Sequence, residues 1–177
     1  MAELKKAVFL DRDDTLIHDP GYLSDPEKVN PIEGAGEALR RLRSAGYLLF
    51  LFTNQGGIGR GYYELADAEA CNRELERRLG LDPGFDGICI APERPDEPLV
   101  YRKPSPRYIL ETMRERGLDP GEVWMVGDRD SDIEAGRRAG VRCARICPEN
   151  HSGEEGSFSS VQAYTDWLLG SQSRSQK

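Results

Sequence analysis

Three acidic residues crowd the end of a short apolar run near the start of the chain. The run Ala7–Leu10 is followed at once by Asp11, Asp13 and Asp14 in the segment "DRDDT". Carboxylates this close repel one another, so the cluster is costly unless a cation balances it. Oxygen ligands select a hard cation, and Mg²⁺ suits one or two carboxylates together with water and a phosphate oxygen.

Polar groups follow three other apolar runs in the same way. The run Tyr47–Phe52 is followed by Thr53 in "TNQGGIGRG", and the run Glu122–Val126 leads into "GDRDSD". A loop after the run Gly87–Ala91 carries "YRKPSP". Each segment alone is commonly a turn or a helix cap, but their shared position after an apolar run indicates one site.

Carboxylates, a hydroxyl and a lysine in one site suit phosphoryl transfer, in which catalysis is mostly positioning and neutralisation of charge. One carboxylate can attack phosphorus and form an aspartyl-phosphate. A second carboxyl can protonate the leaving alcohol and later activate water. The residue types therefore favour a magnesium-dependent phosphomonoesterase.

Helical patterns separate the apolar runs and would position these groups. Examples are "GAGEALRRLRSAG" and "ELADAEACNRELERRLG", each with apolar residues on one face. Strand–helix alternation at this spacing predicts a central parallel sheet covered on both faces, a Rossmann-like three-layer α/β sandwich. The carboxyl ends of parallel strands share one edge, where such folds bind ligands. We therefore expect the polar segments to converge there.

The composition limits the class of protein. The chain has 177 residues, which favours one domain, and its net charge of −7 argues against a nucleic-acid partner. No apolar run approaches the roughly 20 residues that span a bilayer, and the N-terminus has no signal-peptide pattern. The four cysteines show no CxxC spacing. We predict reduced thiols, a cytoplasmic monomer and no membrane partner.

The composition changes after about Pro148. The segment "PENHSGEEGSFSS" is polar, and "VQAYTDWLLG" has the pattern of a short helix that docks through Trp167 and Leu168. We predict a core domain of residues 1–148, followed at 149–177 by a loop, a short helix and a flexible tail on the same domain. His18 and His151 lack metal-ligand spacing, and we interpret both as surface or loop residues.

In this order the motifs resemble those of the haloacid dehalogenase superfamily of phosphohydrolases. Its signature is a DxDxT loop, a serine or threonine after the second strand, a lysine and a late GDxxxD. These are "DRDDT", "FTNQGGIGRG", "RKP" and "GDRDSD" here. The resemblance implies that Asp11 is the nucleophile and a Mg²⁺ ligand, and that Asp13 is the general acid and base with its backbone carbonyl on the metal. Asp128 would complete the metal site, and Asp132 would support that site or its water.

Within the superfamily the chain is similar to small, cap-less histidinol-phosphate and heptose-bisphosphate phosphatases. The similarity lies in "FLDRDDTLIHDPGYL", "TNQGGIGRGYY" and "YRKPSP", and no insertion is large enough for a cap domain. Thr53 and Lys103 would hold the transferring phosphoryl group. Contacts to the rest of the substrate would come from eight residues: Asp19, Gly21, Tyr22, Asn54, Gln55, Gly56, Arg60 and Arg102.

Two departures from this group matter. Many members carry a zinc loop with a CxH and a CxC pair, but "CIAPERPDEPLVYRKP" offers only Cys89, so we predict no zinc. Packing and prolines would then hold Arg102. The second departure is Asp14, where the family usually has glycine. Its carboxylate would either point away from the site or weaken it, and its backbone would be strained.

The resemblance leaves several functions open. We expect a small phosphorylated sugar as substrate, a heptose 1,7-bisphosphate before histidinol phosphate. A nucleic-acid 3′-phosphatase fits the net charge poorly. The alternative from another class is a catalytically weak protein that binds phosphosugars or a partner.

Overall fold

A parallel, six-stranded sheet forms the centre of the protein. The computed structural model describes residues 5–149 and 156–175. The strands are β1 (Lys5–Leu10), β2 (Tyr47–Asn54), β3 (Gly87–Ala91), β4 (Leu118–Gly127), β5 (Arg142–Ile146) and β6 (Ser157–Phe158). Their order is β3-β2-β1-β4-β5-β6, and every pair is parallel. The four apolar runs described above lie in β1 to β4, a fifth predicted run, Arg142–Ile146, is β5, and β6 is an addition.

Helices cover both faces of this sheet. They are α1 (Ala35–Ser44), α2 (Gly56–Gly59), α3 (Leu65–Leu79), α4 (Arg107–Arg116), α5 (Asp130–Ala139) and α6 (Val161–Ser175). The helices α1, α3 and α6 pack on one face, while α4 and α5 pack on the other. The predicted three-layer α/β sandwich is therefore confirmed. All these elements belong to the sandwich, and none of the described residues forms a separate cap.

The buried stretches of the central strands are apolar on both sides because both faces of the sheet are covered. In β1, Val8 and Leu10 face the layer of α1, α3 and α6. Ala7 and Phe9 face the layer of α4 and α5, and Phe9 stacks on Phe50 of β2 at 4.9 Å between ring centroids. Alternate residues of one strand thus enter two cores, which explains a continuous apolar run in place of strict alternation.

The C-terminal helix shares the first of these cores. Tyr164 and Leu168 of α6 are buried, and the ring of Trp167 lies 5.6 Å from that of Trp124 in β4. The helix continues to Ser175 through most of the expected tail, whose last two residues lie outside the described ranges. A domain boundary at residue 148 stays a prediction.

The structure also describes one of the two histidines and all four cysteines. His18 is exposed, whereas His151 lies outside the described residues. The four cysteines are free thiols, Cys71 being the buried one. None of the helices in the described ranges is long and apolar enough to cross a membrane.

Candidate active site

Three neighbouring strands deliver polar side chains to the same edge of the sheet. Leu10 at the end of β1 pairs with Leu51 of β2 and with Val126 of β4, so the chain leaves all three strands at one level. The backbone N–H of Asp11 still donates to the Val126 carbonyl, at 2.9 Å. Asp11, Thr53 and Asp128 follow or end these strands, and the predicted convergence is therefore present.

Lys103 is buried among these groups. Its Nζ lies 2.6 Å from Asp11 Oδ1, 2.7 Å from Asp132 Oδ1 and 2.6 Å from the Phe52 carbonyl oxygen. The Lys103 backbone donates to Asn54 Oδ1 at 2.9 Å and accepts from Asn54 Nδ2 at 3.2 Å. Asn54, which we predicted as a substrate contact, thus also fixes the backbone of the lysine.

Asp11, Asp128 and Asp132 form a carboxylate cluster whose possible ligand atoms all lie within 4.8 Å of one another. Lys103 supplies one positive charge to these three carboxylates. The negative charge that remains can be balanced by a divalent cation. An all-oxygen set of this kind fits Mg²⁺. Asp132 already pairs with Lys103 through Oδ1 and accepts the Arg129 backbone N–H through Oδ2, at 2.9 Å. These contacts suit its predicted supporting role.

The carboxylate cluster shifts the pKa of its members. Burial raises the pKa of Asp11 well above its ordinary value, Lys103 opposes this shift, and the negative charge of Asp132 adds to it. Burial and Asp132 also raise the pKa of Asp128. Burial lowers the pKa of Lys103, but the two neighbouring carboxylates outweigh burial, and the net shift is upward. The buried acids therefore need positive charge to stay ionised, which a bound cation supplies.

Asp13 lies beside this cluster and is held by its own set of partners. Arg12 Nε lies 3.0 Å from Asp13 Oδ1, and Arg12 Nη2 lies 3.2 Å from Asp13 Oδ2. Gln55 Nε2 donates to Asp13 Oδ2 at 2.9 Å and to Thr53 Oγ1 at 2.7 Å. Tyr63 Oη donates to Gln55 Oε1 at 2.5 Å. Gln55, another predicted substrate contact, is therefore tied to two predicted catalytic residues.

The residues predicted to contact the substrate surround one cavity of about 310 Å³. Asp11, Asp13 and Lys103 line it, whereas Thr53 is fully buried and its hydroxyl accepts a hydrogen bond from Gln55. A larger depression, about 1030 Å³, borders α5 and β5 and includes none of the predicted site residues. We assign the smaller cavity as the candidate active site because carboxylates of the predicted site line it. All eight predicted substrate contacts line it: Asp19, Gly21, Tyr22, Asn54, Gln55, Gly56, Arg60 and Arg102.

Asp14 points away from the carboxylate cluster. Its φ is +57°, the left-handed conformation that glycine adopts without strain, so the expected backbone strain is present. Its Oδ1 accepts the backbone N–H of Asp19 at 3.1 Å. Asp19 Oδ1 in turn accepts the N–H of Gly21 at 2.8 Å. The third acid of "DRDDT" therefore braces the loop that brings Asp19 and Gly21 to the cavity.

A carboxylate organises the loop that carries Arg102. Glu93 Oε1 accepts three backbone N–H groups, from Val100 at 3.2 Å, Tyr101 at 2.6 Å and Arg102 at 3.3 Å. Arg102 Nη1 also donates to the Glu93 carbonyl at 3.0 Å. Burial raises the pKa of Glu93, but these backbone donors outweigh burial and lower it overall. We expected packing and prolines to hold this loop. The hydrogen bonds to Glu93 hold it as well.

Cys89, the one possible zinc ligand that the sequence offers in this region, belongs to the strand that precedes this loop. It lies within β3 and packs against the core between the sheet and the layer of α4 and α5. Burial raises the pKa of its thiol to about 12. The absence of zinc remains a prediction.

Four residues that lie in or beside the site had no predicted role. They are Arg12, Tyr63, Glu93 and Arg129. An arginine inside an acidic cluster that follows a buried strand is a signal for Arg12, since burial requires a charged partner. Glu93 gave no such signal because its partners are backbone groups.

Comparison with known proteins places the chain in a family. Residues 13–146 match the family model described as haloacid dehalogenase-like hydrolase. The chain belongs to this family and is one of its phosphatases.

Its relatives include enzymes with named substrates. It is 41% identical over 139 residues to the D-glycero-β-D-manno-heptose-1,7-bisphosphate 7-phosphatase of Helicobacter pylori, covering 77% of this chain and 80% of the relative. It is 35% identical over 144 residues to the corresponding α-heptose enzyme of Burkholderia mallei, covering 77% and 76%. A solved relative is D,D-heptose 1,7-bisphosphate phosphatase from B. bronchiseptica complexed with magnesium and phosphate. Its TM-score is 0.82 at 27% identity, over 94% of this chain and 99% of that one.

Proposed function

We propose that the protein is a Mg²⁺-dependent phosphatase that removes the 7-phosphate of D-glycero-D-manno-heptose 1,7-bisphosphate. Its named relatives support this substrate. The observation that supports it best is that one cavity combines the buried Asp11–Lys103 pair with three arginines besides Arg12, namely Arg60, Arg102 and Arg129. A substrate with two phosphates uses both features, one for chemistry and one for binding.

The three arginines lie close enough to affect one another. Burial lowers the pKa of Arg102, Glu93 raises it, and the positive charges of Arg129 and Arg60 lower it further. Like charges that converge on a cavity are relieved by an anion, and guanidinium groups bind phosphate in bidentate geometry. The second phosphate of a sugar bisphosphate is such an anion, whereas histidinol phosphate has an amine in place of it.

In the proposed reaction, a carboxylate oxygen of Asp11 bonds to phosphorus while the bond between phosphorus and the C7 oxygen breaks. Asp13 gives its proton to that oxygen, and heptose 1-phosphate leaves as an alcohol. Water then attacks the aspartyl-phosphate, Asp13 takes the proton of the water, and the bond between Asp11 and phosphorus breaks. Lys103 and the Thr53 hydroxyl hold the phosphoryl oxygens during both steps.

Asp11, Asp128 and the Asp13 backbone carbonyl would hold Mg²⁺, with Asp132 supporting them. When bound, the ion neutralises the phosphoryl oxygens and the crowded carboxylates. A cytoplasmic location and a monomeric state stay predictions, as does the absence of zinc.

A panel of phosphorylated metabolites tests this function. With Mg²⁺ present, the parent should release phosphate fastest from a heptose 1,7-bisphosphate and leave the 1-phosphate in place. Asp11→Asn should lose at least about 10³-fold in kcat, since it removes the nucleophile. Equal turnover by both proteins, or a preference for histidinol phosphate, would contradict the proposal. Both anomers belong in the panel because the relatives differ in this respect.

Arg102→Ala distinguishes bisphosphates from monophosphates in the same panel. We expect its kcat/KM to fall at least about tenfold for the bisphosphate, because a desolvated guanidinium–phosphate contact is lost, and far less for a monophosphate. An equal fall for both substrates would remove the argument for a second phosphate. A folded parent without activity in either Mg²⁺ or EDTA would instead favour a non-catalytic binding protein.

A further inference from the structure

The Asp13 carboxyl is held from one side by a buried arginine that the proposed reaction does not use. Arg12 is 1% exposed and makes two hydrogen bonds to Asp13. Its Nη1 donates to Asn72 Oδ1 of α3 at 3.1 Å. Because a guanidinium only donates, the oxygen of the Asn72 amide must face it. The guanidinium is therefore fixed at two ends, with Asp13 at one end and a helix at the other.

The second side of the carboxyl is held through an amide. Gln55 Nε2 donates to Asp13 and to Thr53, while Gln55 Oε1 accepts from the Tyr63 hydroxyl. The tyrosine thus commits the amide oxygen, and the NH₂ end must face the two catalytic residues. Without the hydroxyl, the amide could turn and present its oxygen to the carboxylate, which repels it.

We propose that Arg12 and Tyr63 are positioning residues that aim the Asp13 carboxyl at the leaving-group oxygen, Arg12 directly and Tyr63 through Gln55. This inference rests on the proposed function, in which Asp13 donates that proton. The proton transfer from Asp13 should matter for some esters and not for others. An alkoxide from a sugar needs the proton as the ester bond breaks, whereas p-nitrophenolate is stable enough to leave without it.

The experiment compares two esters in two variants. Tyr63→Phe removes only the hydroxyl and tests the Gln55 side. Asn72→Leu removes the acceptor behind Arg12 and tests that side, since replacing the buried Arg12 itself endangers folding. The measured quantity is kcat/KM for heptose 1,7-bisphosphate divided by kcat/KM for p-nitrophenyl phosphate. This ratio reports bond cleavage and not the later hydrolysis of the aspartyl-phosphate, which both esters share.

We expect the ratio to fall about tenfold in each variant, a part of what a general acid contributes, with KM for the bisphosphate unchanged. Tyr164→Phe is the matched control. Tyr164 is also buried, its hydroxyl has no partner among the described residues, and it faces the core from α6. Its ratio should equal that of the parent.

An unchanged ratio in Tyr63→Phe overturns the role of Tyr63, and an unchanged ratio in Asn72→Leu overturns that of Arg12. This holds even if both rates fall together, which would indicate a structural effect only. Failure of the parent to hydrolyse the bisphosphate would overturn the proposed function instead. The ratio would then be measured with the alkyl phosphate that the parent does hydrolyse.

Discussion

Asp14 shows how one residue can depart from the pattern of its family without entering the chemistry. Its carboxylate is exposed and bonds to the Asp19 backbone, away from the metal cluster. The residue keeps the left-handed backbone that glycine would adopt there. The substitution therefore exchanges backbone strain for a contact that orders the substrate loop.

Three variants at this position separate the two effects. Asp14→Gly should retain or raise kcat/KM, because it relieves the strain and leaves the other two acids in place. Asp14→Asn should match the parent, since asparagine tolerates this conformation and keeps an acceptor. Asp14→Ala should lower the free energy of unfolding by about 1 kcal/mol. Urea denaturation and steady-state kinetics measure these effects, and a large loss of activity in Asp14→Gly would place the third acid in the mechanism.

At the scale of elements, the strand ends were predictable and the loops were not. The convergence of Asp11, Thr53 and Asp128 follows from an apolar run ending in polar residues, which is a local pattern. The bonds of Asn54 and Gln55 depend on the rotamers of residues that come from other elements, so the sequence identified them only as lining residues. The two-residue β6 is too short to give any periodic signal.

The loop between β3 and α4 depends on the charge of Glu93, which a substitution can test. Glu93→Gln keeps the size of the side chain but removes the charge that receives three N–H groups. Hydrogen bonds to a charged acceptor are stronger than neutral ones by about 1 kcal/mol, so KM for the bisphosphate should rise about fivefold. The kcat for p-nitrophenyl phosphate should stay near that of the parent. Glu97→Gln is the control, because Glu97 accepts one N–H in the same loop, from Arg94.

The same loop should respond to pH. The pKa of Glu93 is lower in the folded protein than its usual value of about 4.3. The stabilisation of the loop by the Glu93 charge is therefore complete above the usual pKa and is lost as the pH falls through the pKa of the folded protein. KM for the bisphosphate should rise in that acidic range in the parent and change less in Glu93→Gln. Equal pH profiles would contradict the assignment.

At the scale of the whole molecule, the C-terminal helix belongs to the core that supports the site. Leu168 is 2% exposed and lies in the same cluster as residues of α1 and β4. Leu168→Ala should lower the free energy of unfolding by about 2–5 kcal/mol, in one transition of tryptophan fluorescence. Leu110→Ala, at a 45% exposed position on α4, should cost far less. If Leu168→Ala lowered the free energy of unfolding as little as Leu110→Ala, the residues after 148 would not be part of the folding core.

The order of the strands also bears on how the chain reaches this state during synthesis. The central strand β1 is made first, but one of its two neighbours, β4, begins only at Leu118. Until then the apolar stretch Ala7–Leu10 of β1 has an unpaired edge, which can associate with other chains. The site itself joins Lys103 to Asp11 across 92 positions and Thr15 to Asp128 across 113. Catalytic activity is therefore a late event in folding, and its recovery after denaturation would report that the long-range pairing is complete.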